Sequence, residues 1–248
     1  MATVRHLRNA PIIEAIVEFQ VDAPAGTSIR TLERAHKPLK PKYPRRVKQM
    51  KGTFQFQLTP ADGTTAQAAA SEHVGYRFLS ADGKRIAAFT TQAFAFHWLR
   101  PYTRWEELKV EAQQLWKHYR AVVKPKAITR IGVRYINNLA VPVGAKDLGD
   151  YLVLGPVVPD GLPQAVQSFL SRIEIVDEVN QRIGIISQAF QGLAPDGNLS
   201  VLLDVDTVRI GALGPDDENV WSIADRLREF KNDIFFRSVT DRLLEQYI

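Results

Sequence analysis

Nine lysines and arginines fall between Arg30 and Lys51 against a single acid, Glu33, so this stretch alone carries +8. Elsewhere 23 basic residues face 26 acidic ones, for −3, and the net charge of +5 therefore belongs to one segment rather than to the whole surface. Within residues 34–51, Lys37, Lys40, Lys42, Arg45, Arg46, Lys48 and Lys51 surround Pro38, Pro41 and Pro44, with Tyr43 in their midst. Cations on an extended, proline-stiffened loop neutralise phosphates and release counterions, and an aromatic side chain adds base stacking worth about 1–3 kcal/mol. The segment is the leading candidate for engaging nucleic acid or an acidic partner. The plain alternative is a solvated, charged loop, and Phe54 and Phe56 just beyond it have the alternation of core residues.

Other chemistry is sparse. There is no cysteine, which removes disulfides, thiolate metal sites and cysteine nucleophiles. None of His6, His36, His73, His97 and His118 stands at the i, i+4 or His-x-His spacing of a preorganised metal site. No Gly-x-Ser-x-Gly, P-loop or dinucleotide fingerprint occurs, and no cofactor is expected. Asp204 and Asp206 alternate on a strand, with Glu174, Asp177 and Glu178 on or beside another. Convergent carboxylates of this kind could hold a hard cation for hydrolysis, although a solvated outer sheet face is the favoured account of them. A third reading is a small-ligand binder with a pocket between sheet and helix, lined by Trp98, Trp105 and Trp116. The chain thus reads as a binding protein before it reads as an enzyme.

The elements that must position these residues follow from periodicity and punctuation. Residues 11–21 have the composition of a strand, and a short helix over 27–36 is capped by Thr27 or Ser28 and ends at Lys37-Pro38. Residues 37–46 read as a loop, Phe54, Phe56 and Leu58 as an alternating strand, and the Ala/Thr/Gly-rich 59–73 as a connection. Asp82-Gly83 between apolar runs at 75–80 and 85–91 marks a hairpin, and 93–98 is a further strand. Thr103 and Glu106 have the spacing of a capping box ahead of a helix whose stripe is Trp105, Leu108, Ala112, Leu115, Tyr119 and Val122. Strands then follow at 128–139, 166–177, 182–190 and 199–210, with a short helix near 146–152. A final helix from Asp216 or Asp217 has the stripe Trp221, Ala224, Leu227, Phe230, Ile234, Val239 and Leu243, and its spacing slips near 235–239.

Three landmarks recur in order: Ile16–Phe19 and Gly132–Tyr135 at +116, Trp105 and Trp221 at +116, and Asp82-Gly83 and Asp196-Gly197 at +114. A repeat of this length is a duplicated unit. It divides the chain into 1–125 and 126–248, fused into one body. The expected fold class is α+β: two antiparallel sheets, each packed on a long helix, related by a pseudo-twofold axis and able to merge through 11–21 and 128–139. Pairing of those two strands about the axis would set Glu14 opposite Arg134 and Glu18 opposite Arg130, a register lock worth roughly 0.2–1 kcal/mol per exposed pair. Alternatively, Arg130 and Arg134 form an anion site.

Asn9-Ala10-Pro11-Ile12-Ile13-Glu14-Ala15-Ile16 and Arg130-Ile131-Gly132-Val133-Arg134-Tyr135-Ile136-Asn137 are similar to the signatures of a sporadically distributed bacterial family of unknown function. The hairpin from Gly75-Tyr76-Arg77-Phe78 to Asp82-Gly83, and Leu99-Arg100-Pro101-Tyr102 through Trp105, resemble the same family, so the likeness spans nearly the whole chain. It implies no catalytic residues. The basic N-terminus is not followed by the 7–15-residue apolar core of a signal peptide, and no run approaches the ~20 apolar residues of a membrane helix. A cytoplasmic location is the expectation.

Overall fold

The computed structural model describes every residue except 1, 4, 6, 60–62, 146 and 217, and for 52–59 and 63–70 it describes the backbone alone. Strand β1 (Ile12–Asp22) buries Ala15, Val17, Phe19 and Val21 on one face and turns Glu14, Glu18 and Gln20 to the other, the period-two pattern of a strand covered on one side. Two short helices follow, α1 (Ile29–Glu33) and α2 (His36–Leu39). The loop expected over 37–46 is corrected here. The chain starts a fresh turn at His36, and Pro38 is tolerated because first-turn N–H groups have no intrahelical partner.

Strands β2 (Arg45–Thr59) and β3 (Gly63–Leu79) pair along their length, so the connection expected over 59–73 is mostly strand, with 60–62 outside the described residues. β4 (Arg85–Thr90) returns through the Asp82-Gly83 turn, where Gly83 has φ +73° and its N–H donates to the Ser80 carbonyl (3.0 Å). β5 (Ala93–Leu99) leads to α3 (Trp105–Val123). The N-cap of α3 is Arg104, not Thr103, whose hydroxyl donates instead to Glu107 Oε2 (2.7 Å). β6 (Ala127–Val141), β7 (Leu170–Asp177), β8 (Arg182–Leu193) and β9 (Leu199–Leu213) follow, then α4 (Asn219–Ser238) and α5 (Asp241–Leu244). The slipped periodicity near 235–239 is the end of α4. Val239 leaves the helix and bridges to Leu152. The short helix expected over 146–152 is a single 3₁₀ turn at Leu148–Asp150.

The expectation of two sheets is corrected. The nine strands of the described residues form one antiparallel sheet in the order β2-β3-β4-β5-β1-β6-β9-β8-β7. The physical reason lies at the middle: β1 hydrogen-bonds β5 on one side and β6 on the other, with β6 matched from Ile12↔Asn137 to Asp22↔Ala127. Neither half therefore closes a sheet of its own. Both longer helices lie on the same face. α3 and the first half of α4 cover Val17, Phe19, Val133 and Tyr135, and the second half of α4 covers Val201, Leu203 and Val205. Among the described residues the opposite face carries no helix, and it combines ion pairs with a small buried cluster of Ile16, Ala88 and Ala95. No described helix is long and apolar enough to cross a membrane.

Candidate functional site: a cationic cavity beneath the N-terminal segment

α4 approaches the sheet with Ala224, Leu227, Ile234 and Phe235 buried. The helical repeat puts Lys231, between Leu227 and Ile234, on that same inward stripe, and it is 6% exposed. Its Nζ lies 3.6 Å from the centroid of the Tyr135 ring on β6. Among the described residues it has no hydrogen-bond or ion-pair partner. Removal from water disfavours the ammonium, and neighbouring Arg228 disfavours it further, so the amine is pulled down to about 7.

Lys231 borders a cavity of about 590 Å³, within the usual range of small-ligand sites. Tyr135 and Asn137 of β6 form its floor. Asn137 is 2% exposed and its amide donates to the Leu203 carbonyl (3.0 Å). The Tyr135 hydroxyl shares a 2.7 Å hydrogen bond with that of Tyr102. Burial raises both phenols, Tyr102 to about 12 and Tyr135 well above its ordinary value, so both stay protonated. One wall is the start of α3, with Arg104, Trp105 and Glu106. Its N-cap side chain makes no capping hydrogen bond, so this helix start, with its positive end, borders the space without a side-chain cap.

Described residues of the N-terminal segment form another wall. The segment is tied down by Ala2 N to the Phe236 carbonyl (2.9 Å), Asn9 N to the Tyr247 carbonyl (3.1 Å) and Asn138 N to the Pro11 carbonyl (2.9 Å). It brings Arg5 and Arg8 to the rim. Arg5 pairs with Asp241 (2.7 Å), but its Nε is buried without a hydrogen-bond partner. Arg104 pairs with Glu107 (2.7 Å), whereas Arg8 and Arg228 have no ion-pair partner among the described residues. Five cations thus border the cavity against one acid, Glu106.

The sequence reading missed this site because it placed Phe230, not Lys231, on the α4 stripe. Phe230 is half-buried and lies under the guanidinium of Arg182 (4.0 Å). The available signal was a lysine three residues before Ile234 and four after Leu227. Of the three tryptophans proposed to line a pocket, Trp105 borders this cavity. Its indole donates to Asp225 Oδ1 (2.8 Å). Trp98 lies under Arg85 (4.2 Å) and Trp116 packs edge-on against Phe19 (5.0 Å), both as core.

The basic segment is divided between α2, the turn that follows it and the start of β2. Tyr43 is 1% exposed and its hydroxyl donates to Glu111 of α3, so it cannot serve as a stacking platform. Lys42 also pairs with Glu111 (2.8 Å), as does Arg85 (3.4 Å). This buried carboxylate anchors the segment to the helix and uses Lys42 structurally. Arg45 and Arg46 point to opposite sides of β2, as strand alternation requires. Arg45 reaches toward the Ser80 carbonyl (3.5 Å), and Arg46 covers the Tyr76 ring (4.7 Å). Lys37, Lys40, Lys48 and Lys51 are exposed, the first two on and after α2 and the others on β2. Phe54 and Phe56 have side chains outside the described residues.

The charge lock is also redrawn. Arg134 stands opposite Ile16 and Arg130 opposite Gln20. Glu14 instead meets His97 of β5 (2.7 Å), and that hydrogen bond lowers its pKa. Arg134 pairs with Asp204 through Nε (2.8 Å) and Nη2 (2.5 Å). Arg130 does reach Glu18 (3.0 Å), but diagonally, and also Asp206 (2.8 Å). Gly132 makes the diagonal feasible, since a Cβ there would meet Arg130 Nη1 at 2.8 Å. From Glu14 to Gln20 the register lies two residues away from the expected one, so Glu14 stands opposite Ile136 and Glu18 opposite Gly132.

These contacts also answer the carboxylate reading. Asp204 and Asp206 are each held by an arginine, while Glu174, two strands away on β7, is exposed beside Arg172 (3.4 Å). Among the described residues, no three acids or histidines converge as a metal site would require.

No protein-family model matches the chain, and no curated protein matches it.

Proposed function

We propose that this protein binds a small organic anion, carboxylate or phosphate in character, in the cavity between the N-terminal segment, β6 and the facing parts of α3 and α4. The observation that carries the reading is Lys231: a core-facing amine with no acidic partner, bordering a space ringed by arginines. A protein that needed only a stable core would place leucine there, because burying an uncompensated amine opposes folding. An anion supplies the missing counter-charge, and the start of α3 adds N–H donors. Three of the stretches on which the family resemblance rests also support the reading, since they contribute Ala10, Pro11, Tyr102, Trp105, Tyr135 and Asn137 to this one cavity.

Thermal-shift and calorimetric titration with a panel of carboxylates and phosphates tests it. A subset of anions should raise the melting temperature and bind saturably, and R228A should weaken that binding by roughly tenfold or more, the scale of one charge-assisted hydrogen bond. Failure of every anion to bind, or identical binding by R228A, overturns the reading.

A further inference from the structure

Arg228 and Lys231 lie three residues apart on α4, and side chains at that spacing are neighbours on a helix surface. Both border the cavity. They differ in chemistry. A guanidinium is a permanent planar cation suited to gripping a carboxylate, whereas a buried amine is a nucleophile once it sheds its proton. Two features favour the second role: among the described residues no carboxylate pairs with Lys231 to hold it as ammonium, and burial and a neighbouring cation oppose protonation, against the attraction that the Tyr135 ring face offers the charged form. Burial sets its proton affinity at about 7, so near neutrality about half of the amine is free.

Building on the anion-binding reading, we infer that Lys231 forms an imine with the carbonyl of a small oxo acid whose carboxylate is held by Arg228 and the start of α3. The Nζ lone pair attacks the carbonyl carbon to give a carbinolamine. The carbon–oxygen bond then breaks, the former carbonyl oxygen departs as water with both amine hydrogens, and a carbon–nitrogen double bond remains. No oxidant or reductant is needed. The Tyr102 and Tyr135 hydroxyls, hydrogen-bonded to each other at 2.7 Å on the same cavity, remain protonated and able to donate as the hydroxyl leaves. Such a site takes a carbonyl one or two bonds from a carboxylate. A simple aldehyde lacks the anion that the arginines would orient, and a hydroxy acid lacks the electrophile.

The test is reductive trapping on the full chain. Protein is incubated at pH 7 with glyoxylate or pyruvate and cyanoborohydride, then digested, and labelling of each lysine is followed by mass spectrometry. Lys231 should label about tenfold or more faster than exposed Lys37 and Lys40, since its free-amine fraction is far larger. Excess lactate, which has the carboxylate without the carbonyl, should slow labelling of Lys231 and leave the exposed lysines unchanged. K231R, which keeps the cation but lacks the nucleophile, should reduce total labelling to the level of the exposed lysines. The wild-type measurements decide the matter even if that variant folds poorly. Labelling of Lys231 no faster than that of Lys37, or unaffected by lactate, overturns the imine. Saturable binding of carboxylates without labelling removes the imine and leaves the anion site standing, whereas absence of both removes both.

Discussion

At the scale of single residues, Lys231 sets a testable pH dependence. Its folded proton affinity, about 7, lies below the 10.5 of an exposed lysine. Between these values the unfolded chain binds more protons than the folded one, so wild-type stability rises as pH climbs from 7 toward 10.5 and is lowest at and below neutrality. Replacing the amine with an apolar side chain of similar length removes that penalty. K231M should therefore unfold at higher denaturant concentration at pH 7, by about 2–4 kcal/mol, with the gap over wild type closing as pH approaches 10.5. Equal stability of the two at pH 7 would place the amine in water rather than in the wall of the cavity. The same logic separates Lys231 from Lys42, whose charge is matched by Glu111 and half exposed. Nothing in the residue types distinguishes these two lysines; their surroundings do.

At the scale of elements, the distances between strands and helices are set by a few positions where no side chain fits. Gly75 is the tightest. A Cβ there would stand 2.1 Å from the Phe89 carbonyl oxygen and 2.8 Å from Thr90 Cα, both backbone atoms of β4 that cannot rotate away. G75A should cost about 2–3 kcal/mol in chemical denaturation by forcing β3 from β4. A neutral result would mean that the two strands lie further apart. The elements themselves were largely legible in the chain. Apolar composition marked β1, β4 and β5, Asp-Gly marked the β3–β4 turn, and helical spacing marked α3. The errors had local causes. A proline taken as a helix stop sits in the first turn of α2, and an apparent capping threonine bonds a glutamate one turn on. The Ala/Thr-rich run over 63–73 has weak strand propensity and is held as strand only by pairing with β2.

At the scale of the whole molecule, continuity of hydrogen bonding through β1 and β6 makes the sheet one cooperative body. Separating residues 1–125 from 126–248 would expose β1 and β6 as long apolar edges, the kind of surface that aggregates. The two fragments expressed apart should be insoluble or unfolded, while the full chain should melt in a single transition seen alike by circular dichroism and calorimetry. A soluble, folded half, or two resolved transitions, would contradict this.

Composition and order determined by themselves that the chain mixes helices with strands and has a basic stretch, no cysteine chemistry and no familiar catalytic motif, because those properties are carried by residue types and short spacings. Tertiary structure decided the rest. One sheet rather than two follows from hydrogen bonds between strands more than a hundred residues apart. Arg130 and Arg134 found Asp206 and Asp204, partners on β9 that no local pattern names. The cavity is assembled from the N-terminal segment, the start of α3, β6 and α4. Its defining feature, an amine without a counter-charge, depends on which groups fail to come near Lys231, and only the folded arrangement of all four elements determines that.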